Sequence, residues 1–162
     1  MKKVYLSGPM RGYKDFNFPL FYTTEALLEL WGWAVSNPAR LDIEDGKAAY
    51  NVAEKRIVPD TSFTIADALR RDFTVILSCD AVALLPGWEK SEGACRELGL
   101  AIDIGLPVYF VNPIDGALTA APEQDLRRAV AIKYCSKAGM VGQFTGIDQP
   151  GDRERVTAHV IS

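Results

Sequence analysis

Glu97 lies six residues beyond Ser91, in the stretch Ser91-Glu92-Gly93-Ala94-Cys95-Arg96-Glu97, where an apolar run gives way to a helical pattern. Ala81 to Leu85 has the length and composition of a buried strand, and Pro86-Gly87 breaks it. Ser91 is placed to cap a helix whose apolar face is Ala94, Leu98, Ala101 and Ile102. In an open parallel sheet, ligands bind at the turn that follows a strand's carboxyl end. Amide N–H groups at Ser91-Glu92-Gly93 would face such a ligand, and Gly93 lets it approach the backbone closely. Ser91 and those amides therefore suit an anion. Glu97, four residues after Gly93 on the same helix face, suits nucleophilic attack or proton transfer. The plainer alternative makes Ser91 a simple cap and Glu97 the partner of Arg96 or another neighbour. Trp88, on the intervening loop, either stacks on a base or covers the core edge.

Two other places carry chemistry. Tyr5-Leu6-Ser7-Gly8-Pro9-Met10-Arg11-Gly12 reads as a strand followed by a two-glycine loop with one cation. It lacks the Gly-Lys-Ser/Thr ending of a Walker loop, and the chain has no Gly-x-Gly-x-x-Gly turn. Backbone amides around Gly8 and Gly12 can still hold a phosphate or sugar, with the planar fork of Arg11 on the anion. A strand-to-helix turn with an exposed arginine is the competing reading. Asp72 lies between Leu69 and Phe73 in a helical pattern, where a salt-bridged surface aspartate is the ordinary expectation. Asp80 opens a strand at its amino edge and reads as a turn or capping residue.

The elements that must position these groups follow in order. Lys3–Ser7 is a first strand, and Asn17-Phe18-Pro19 opens a helix with Leu20, Phe21, Ala26, Leu27, Leu30 and Trp31 at helical spacing. Ala34–Asn37 is a short second strand stopped by Pro38. From Leu41 to Asp60 the chain is charged and weakly patterned, and reads as a long loop with at most a short helix, a lid or an oligomer contact. Thr61–Cys79 is one helix or two, with Ile65, Leu69, Phe73, Ile76 and Leu77 inward. A strand at Val108–Val111 follows Gly105-Leu106-Pro107, and Pro122–Lys137 patterns as a further helix with Leu126, Val130 and Ile132 on one face. Gly139–Ser162 is polar, with a strand-like run at Val156–Ile161, and reads as a tail or subunit arm. Alternating strands and helices imply right-handed crossovers and a parallel sheet covered on both faces.

Composition narrows the function classes. The 162 residues suit one domain. The net charge of −3, from 18 basic and 21 acidic residues, gives no support for a nucleic-acid groove or a membrane-surface patch. No apolar segment has export or membrane-spanning length. Cys79, Cys95 and Cys135 form no close pair and make no zinc pattern with the single His159, so no metal or cofactor is expected and the setting reads as reduced and cytoplasmic.

Taken together, Tyr5 to Gly12, Arg71-Asp72, Cys79-Asp80-Ala81-Val82 and Ser91-x-Gly93-Ala94-x-x-Glu97-Leu98-Gly99-x-Ala101 resemble the nucleoside 2-deoxyribosyltransferase family. The closer likeness is to its branch of 2'-deoxynucleoside 5'-monophosphate N-glycosidases, and to a small phage and bacterial group with the signature seen here at Leu85–Ala94. The likeness covers roughly residues 3 to 112, so 1–113 would be the catalytic domain and 114–162 an extension of it. The resemblance implies a flavodoxin-like, Rossmann-like five-stranded parallel sheet in a homodimer or larger homo-oligomer. It implies Glu97 as nucleophile at the anomeric carbon, Asp72 as the acid that assists base departure, and Tyr5 as the residue holding the nucleophile. Ser91 and Gly93 match phosphate-binding positions and Arg11 a basic residue of the first loop, while Pro9 replaces a serine frequent in that branch. Glu97 is expected to be ionised, favoured by the helix amino end, and Asp72 to keep a raised pKa. The expected substrate is a small nucleotide or nucleoside, with base exchange by a transferase and nucleotide sensing without turnover as alternatives.

Overall fold

The computed structural model describes residues 1–62 and 64–137, so Val156–Ile161 and the expected tail fall outside the described residues. A central five-stranded sheet contains β1 (Lys3–Ser7), β2 (Ala34–Ser36), β5 (Ala81–Leu84), β6 (Val108–Val111) and β7 (Leu118–Ala120), ordered β2-β1-β5-β6-β7. The first four run parallel. β7 runs antiparallel to β6, unlike the all-parallel expectation, because the Asn112–Ala117 connection is far too short for a crossover. The architecture is flavodoxin-like: α3 (Ile65–Ile76), α4 (Glu92–Asp103) and α5 (Glu123–Lys137) cover one face, and α1 (Phe18–Leu30) covers the other.

Alternation along β1 divides its side chains between the two layers. Val4 and Leu6 pack with Phe18, Phe21 and Leu28 of α1, whereas Tyr5 packs with Leu98, Ala101 and Ile76. Ser7, two residues beyond Tyr5, shares its face. The buried stripe of α1 is Phe18, Phe21, Thr24, Glu25 and Leu28. The face predicted from apolar spacing is thus rotated: Leu30 and Trp31 are largely exposed. A buried carboxylate occupies the inward position instead. Glu25 accepts from both Arg40 Nε and Nη2 at 2.8 Å and from Asn37 Nδ2 at 3.0 Å, a forked pairing that offsets the cost of burying its charge.

The 41–60 region is not a loop. Asn37 caps α2 (Pro38–Glu44) by accepting from Ala39 N–H, so Pro38 begins a helix rather than merely ending a strand. An antiparallel hairpin follows, β3 (Ala48–Asn51) with β4 (Arg56–Pro59). α3 starts at a capping box between Thr64 and Asp67, and buries Leu69, Asp72 and Ile76. Leu77, expected inward, is exposed at the helix end. In α5, Leu126 is buried and Val130 packs on the core, while the Ile132 side chain lies outside the described residues. Asp80 accepts from Lys3 N–H at 2.7 Å, the capping role its position predicts.

Candidate active site

Two carboxyl groups from different helices meet over the end of β1. α4 begins after β5, and Ser91 Oγ accepts from Ala94 N–H at 3.2 Å, fixing the first turn. Its buried residues are Ala94, Cys95, Glu97, Leu98, Ala101 and Ile102, so Glu97 is carried inward on the packing face, 7% exposed. Ser7 Oγ donates to Glu97 Oε2 at 2.5 Å, and Tyr5 OH donates to Oε1 at 3.3 Å. Arg96 pairs with Glu92 one turn back, which removes the plain reading of Glu97 as its partner. Asp72 enters from α3 and is 4% exposed, so it is not the surface aspartate that its sequence context suggests. The Tyr5 hydroxyl also bears on Asp72, lowering its pKa, and so stands beside both acids.

Burial decides the charge state of this cluster. Loss of solvent raises the Glu97 pKa, the neighbouring Asp72 charge raises it further, and the Ser7 and Tyr5 hydroxyls pull it back only partly. The favourable effect of the helix amino end, from which an ionised Glu97 is expected, is outweighed. Asp72 is raised too, by burial first, with the adjacent Arg71 cation opposing. Tyr5 is raised well above the ordinary phenol value by burial and by both carboxyls, so it keeps its proton. The acids therefore share protons as a pair, beside a neutral tyrosine.

Gly93 sits within contact distance of this pair. A β-carbon there would lie 3.8 Å from Ser91 Oγ and 4.0 Å from Glu97 Oε1, with no other neighbour as close. The first-turn amides of α4 point out of the helix end beside it, a favourable setting for an anion. Arg11 is exposed, and its charge bears on Asp42 of α2, at the Asp72 side of the cluster. Gly12 turns the loop with φ of +83° and has open space around it. Gly8 answers to packing rather than ligand approach, since a β-carbon there would meet Leu85 Cβ at 2.7 Å. Trp88 is 9% exposed and belongs to the core cluster, so of its two readings it takes the one that covers the core edge.

Ser7 and Arg71 stand inside the motifs without a role assigned there, and Asp42 lies outside them. Ser7 is visible from the period of β1, being two residues from Tyr5. Arg71 bridges Asp72 to Asp42 and Asp45, which stand too far away in sequence to announce the contact. Among the described residues, no group of three or more His, Cys, Asp or Glu is arranged to hold a metal, and no helix is long and apolar enough to cross a membrane.

Fold and site define a doubly wound α/β domain with two buried acids beside a tyrosine at the carboxyl edge of its sheet. Residues 2–110 match the model of a family described as a domain of unknown function, DUF4406, and the chain belongs to that family. No curated protein matches it.

Proposed function

We propose that the protein is an N-glycosidase that hydrolyses the base–sugar bond of a nucleoside 5'-monophosphate. The observation that carries this reading is the pair of buried acids, Glu97 and Asp72, beside the Tyr5 hydroxyl and next to Gly93 at the start of α4. In the reactive form one proton is shared by the pair and resides on Asp72. The Tyr5 hydroxyl relays it there by giving its own proton to Asp72 as it takes the one from Glu97. The ionised Glu97 carboxylate attacks the anomeric carbon, where oxocarbenium character develops as the C–N bond breaks. The bond's electron pair leaves with the base, which takes the Asp72 proton. Water then attacks the same carbon, its proton goes to Asp72, and Glu97 is released as a carboxylate. Ser7 Oγ stabilises that carboxylate between the two steps. Ser91, the α4 amides and Arg11 favour a phosphate on the sugar.

Incubating the full chain with each ribo- and deoxyribonucleoside monophosphate, and with the nucleosides, tests this by chromatography. Release of free base from a monophosphate in water is expected. Base exchange that requires a second base would instead make the protein a transferase. Tight nucleotide binding without turnover would make it a sensor. Because the singly protonated pair is the reactive form, kcat/KM should follow a bell with limbs near about 6 and about 8. A profile flat across that range would contradict the pairing. Ser91→Ala should raise KM for the monophosphate roughly tenfold, from loss of one hydrogen bond to a charged group, and leave the nucleoside's KM almost unchanged. Equal effects on both substrates would place the phosphate elsewhere.

A further inference from the structure

Arg71 stands beside the proposed acid, between α3 and α2. Its Nε and Nη2 meet Asp72 Oδ1 at 2.9 and 2.8 Å, while Nη1 meets Asp42 Oδ1 at 2.8 Å and Asp45 Oδ2 at 3.2 Å. The side chains of Arg71 and Asp42 are only 18% and 17% exposed, so this is no solvent-screened surface pair. Asp42 lies in α2 and Asp45 at its end, whereas Asp72 belongs to α3. One guanidinium thus spans two elements and faces carboxylates on both.

We propose that Arg71 is a positioning residue that divides its charge between Asp72 and the α2 carboxylates, so that the placement of α2 decides which member of the Asp72–Glu97 pair keeps the shared proton. The inference rests on the reading of Asp72 as the acid that assists base departure. Full engagement with Asp72 holds that carboxyl as an anion and leaves the proton on Glu97, where it blocks attack. Engagement with Asp42 and Asp45 frees Asp72 to take the proton and deliver it. The groups bearing on Asp72 are Tyr5 from β1, Glu97 from α4, Arg71 from its own helix and Asp42 from α2, with Arg11 acting on Asp42. α2 is held on its other side by the Arg40–Glu25 fork, so its position is set by packing against α1 rather than by the acids themselves.

The two partners of Arg71 predict effects of opposite sign. In Asp42→Asn, Arg71 turns wholly to Asp72, whose carboxyl should titrate about one pH unit lower. In Arg71→Gln, Asp72 loses its cation and should titrate about one pH unit higher. The measurement is a ¹³C NMR titration of the full chain labelled at aspartate carboxyls, with the Asp72 signal assigned by its loss in Asp72→Asn. Opposite movements in the two variants are the expected result. Midpoints that move together or stay fixed overturn the proposal. Should Arg71→Gln not fold, Arg71→Lys keeps the charge without the fork, and an unmoved Asp72 midpoint there is equally decisive. The titration needs no turnover, so a protein that releases no base would sink the glycosidase reading while this proposal is still judged by the carboxyl signals. In an active enzyme, Asp42→Asn should lower kcat several-fold with KM unchanged and move the acid limb of the pH profile.

Discussion

Glu97→Gln should lower base release by roughly 10³- to 10⁵-fold, the range typical when a nucleophile that works as part of a unit is removed. The substitution keeps the side chain's length and shape. The amide oxygen can still accept from Ser7 Oγ, so the packing around Leu98 and Tyr5 should persist. What is lost is the negative charge beneath the sugar and the pair of electrons that attacks the anomeric carbon. Monophosphate binding should therefore stay within a few-fold of the wild type, measured by calorimetry, while free base in a chromatographic assay falls to background. A variant that retains a tenth or more of the wild-type rate would remove Glu97 from the chemistry and leave it a buried acid held by two hydroxyls.

The same substitution should make the protein more stable in mild alkali. In the unfolded chain Glu97 ionises near its ordinary value of 4.5, whereas in the fold burial moves it to about 8. Between those values the native state binds a proton that the unfolded state has released, so stability falls as pH rises and the loss is complete above the folded value. Below the ordinary value both states are protonated and the penalty vanishes. Each pH unit of displacement is worth about 1.4 kcal/mol, and shared titration with Asp72 spreads the effect over the pair. Glu97→Gln should therefore gain roughly 2–4 kcal/mol relative to wild type at pH 9 and almost nothing at pH 4. Denaturant unfolding at the two pH values checks this, and an equal effect at both would mean that the carboxyl is not displaced by burial. A gain in stability from the loss of a reactive group is the trade-off expected where a site holds buried charge.

The sequence carries the outline of this site because its members follow strong local signals. An apolar run, a Pro-Gly break, a serine cap and a helical stripe place Glu97 where the structure has it. The same reasoning orients α4 through Ala94, Leu98, Ala101 and Ile102, all buried. It fails where long-range contacts override composition. Asp72 resembles a surface residue because nothing near it in sequence reveals that Tyr5 and Glu97 converge on it. Glu25 breaks the apolar stripe of α1, and only Arg40 and Asn37, a dozen or more residues away, make its burial tolerable. The β3–β4 hairpin is hidden for a related reason. Its four-residue strands are joined through Lys55 in a left-handed conformation, φ 50°, with no glycine to mark the turn. Ionisation is the least legible property of all. The helix amino end is evident from Ser91 onward, but the desolvation that outweighs it comes from the assembled core.

The central claim is that the Glu97 carboxylate captures the sugar. The most direct measurement is a peptide map by mass spectrometry of protein quenched in acid during turnover of the monophosphate that releases base. The account predicts a sugar 5-phosphate joined through its anomeric carbon as an ester of the Glu97 carboxylate, absent from Glu97→Gln and lost on longer incubation in water. A sugar adduct on a different residue, or turnover with the protein at its unmodified mass at every quench time, would contradict it.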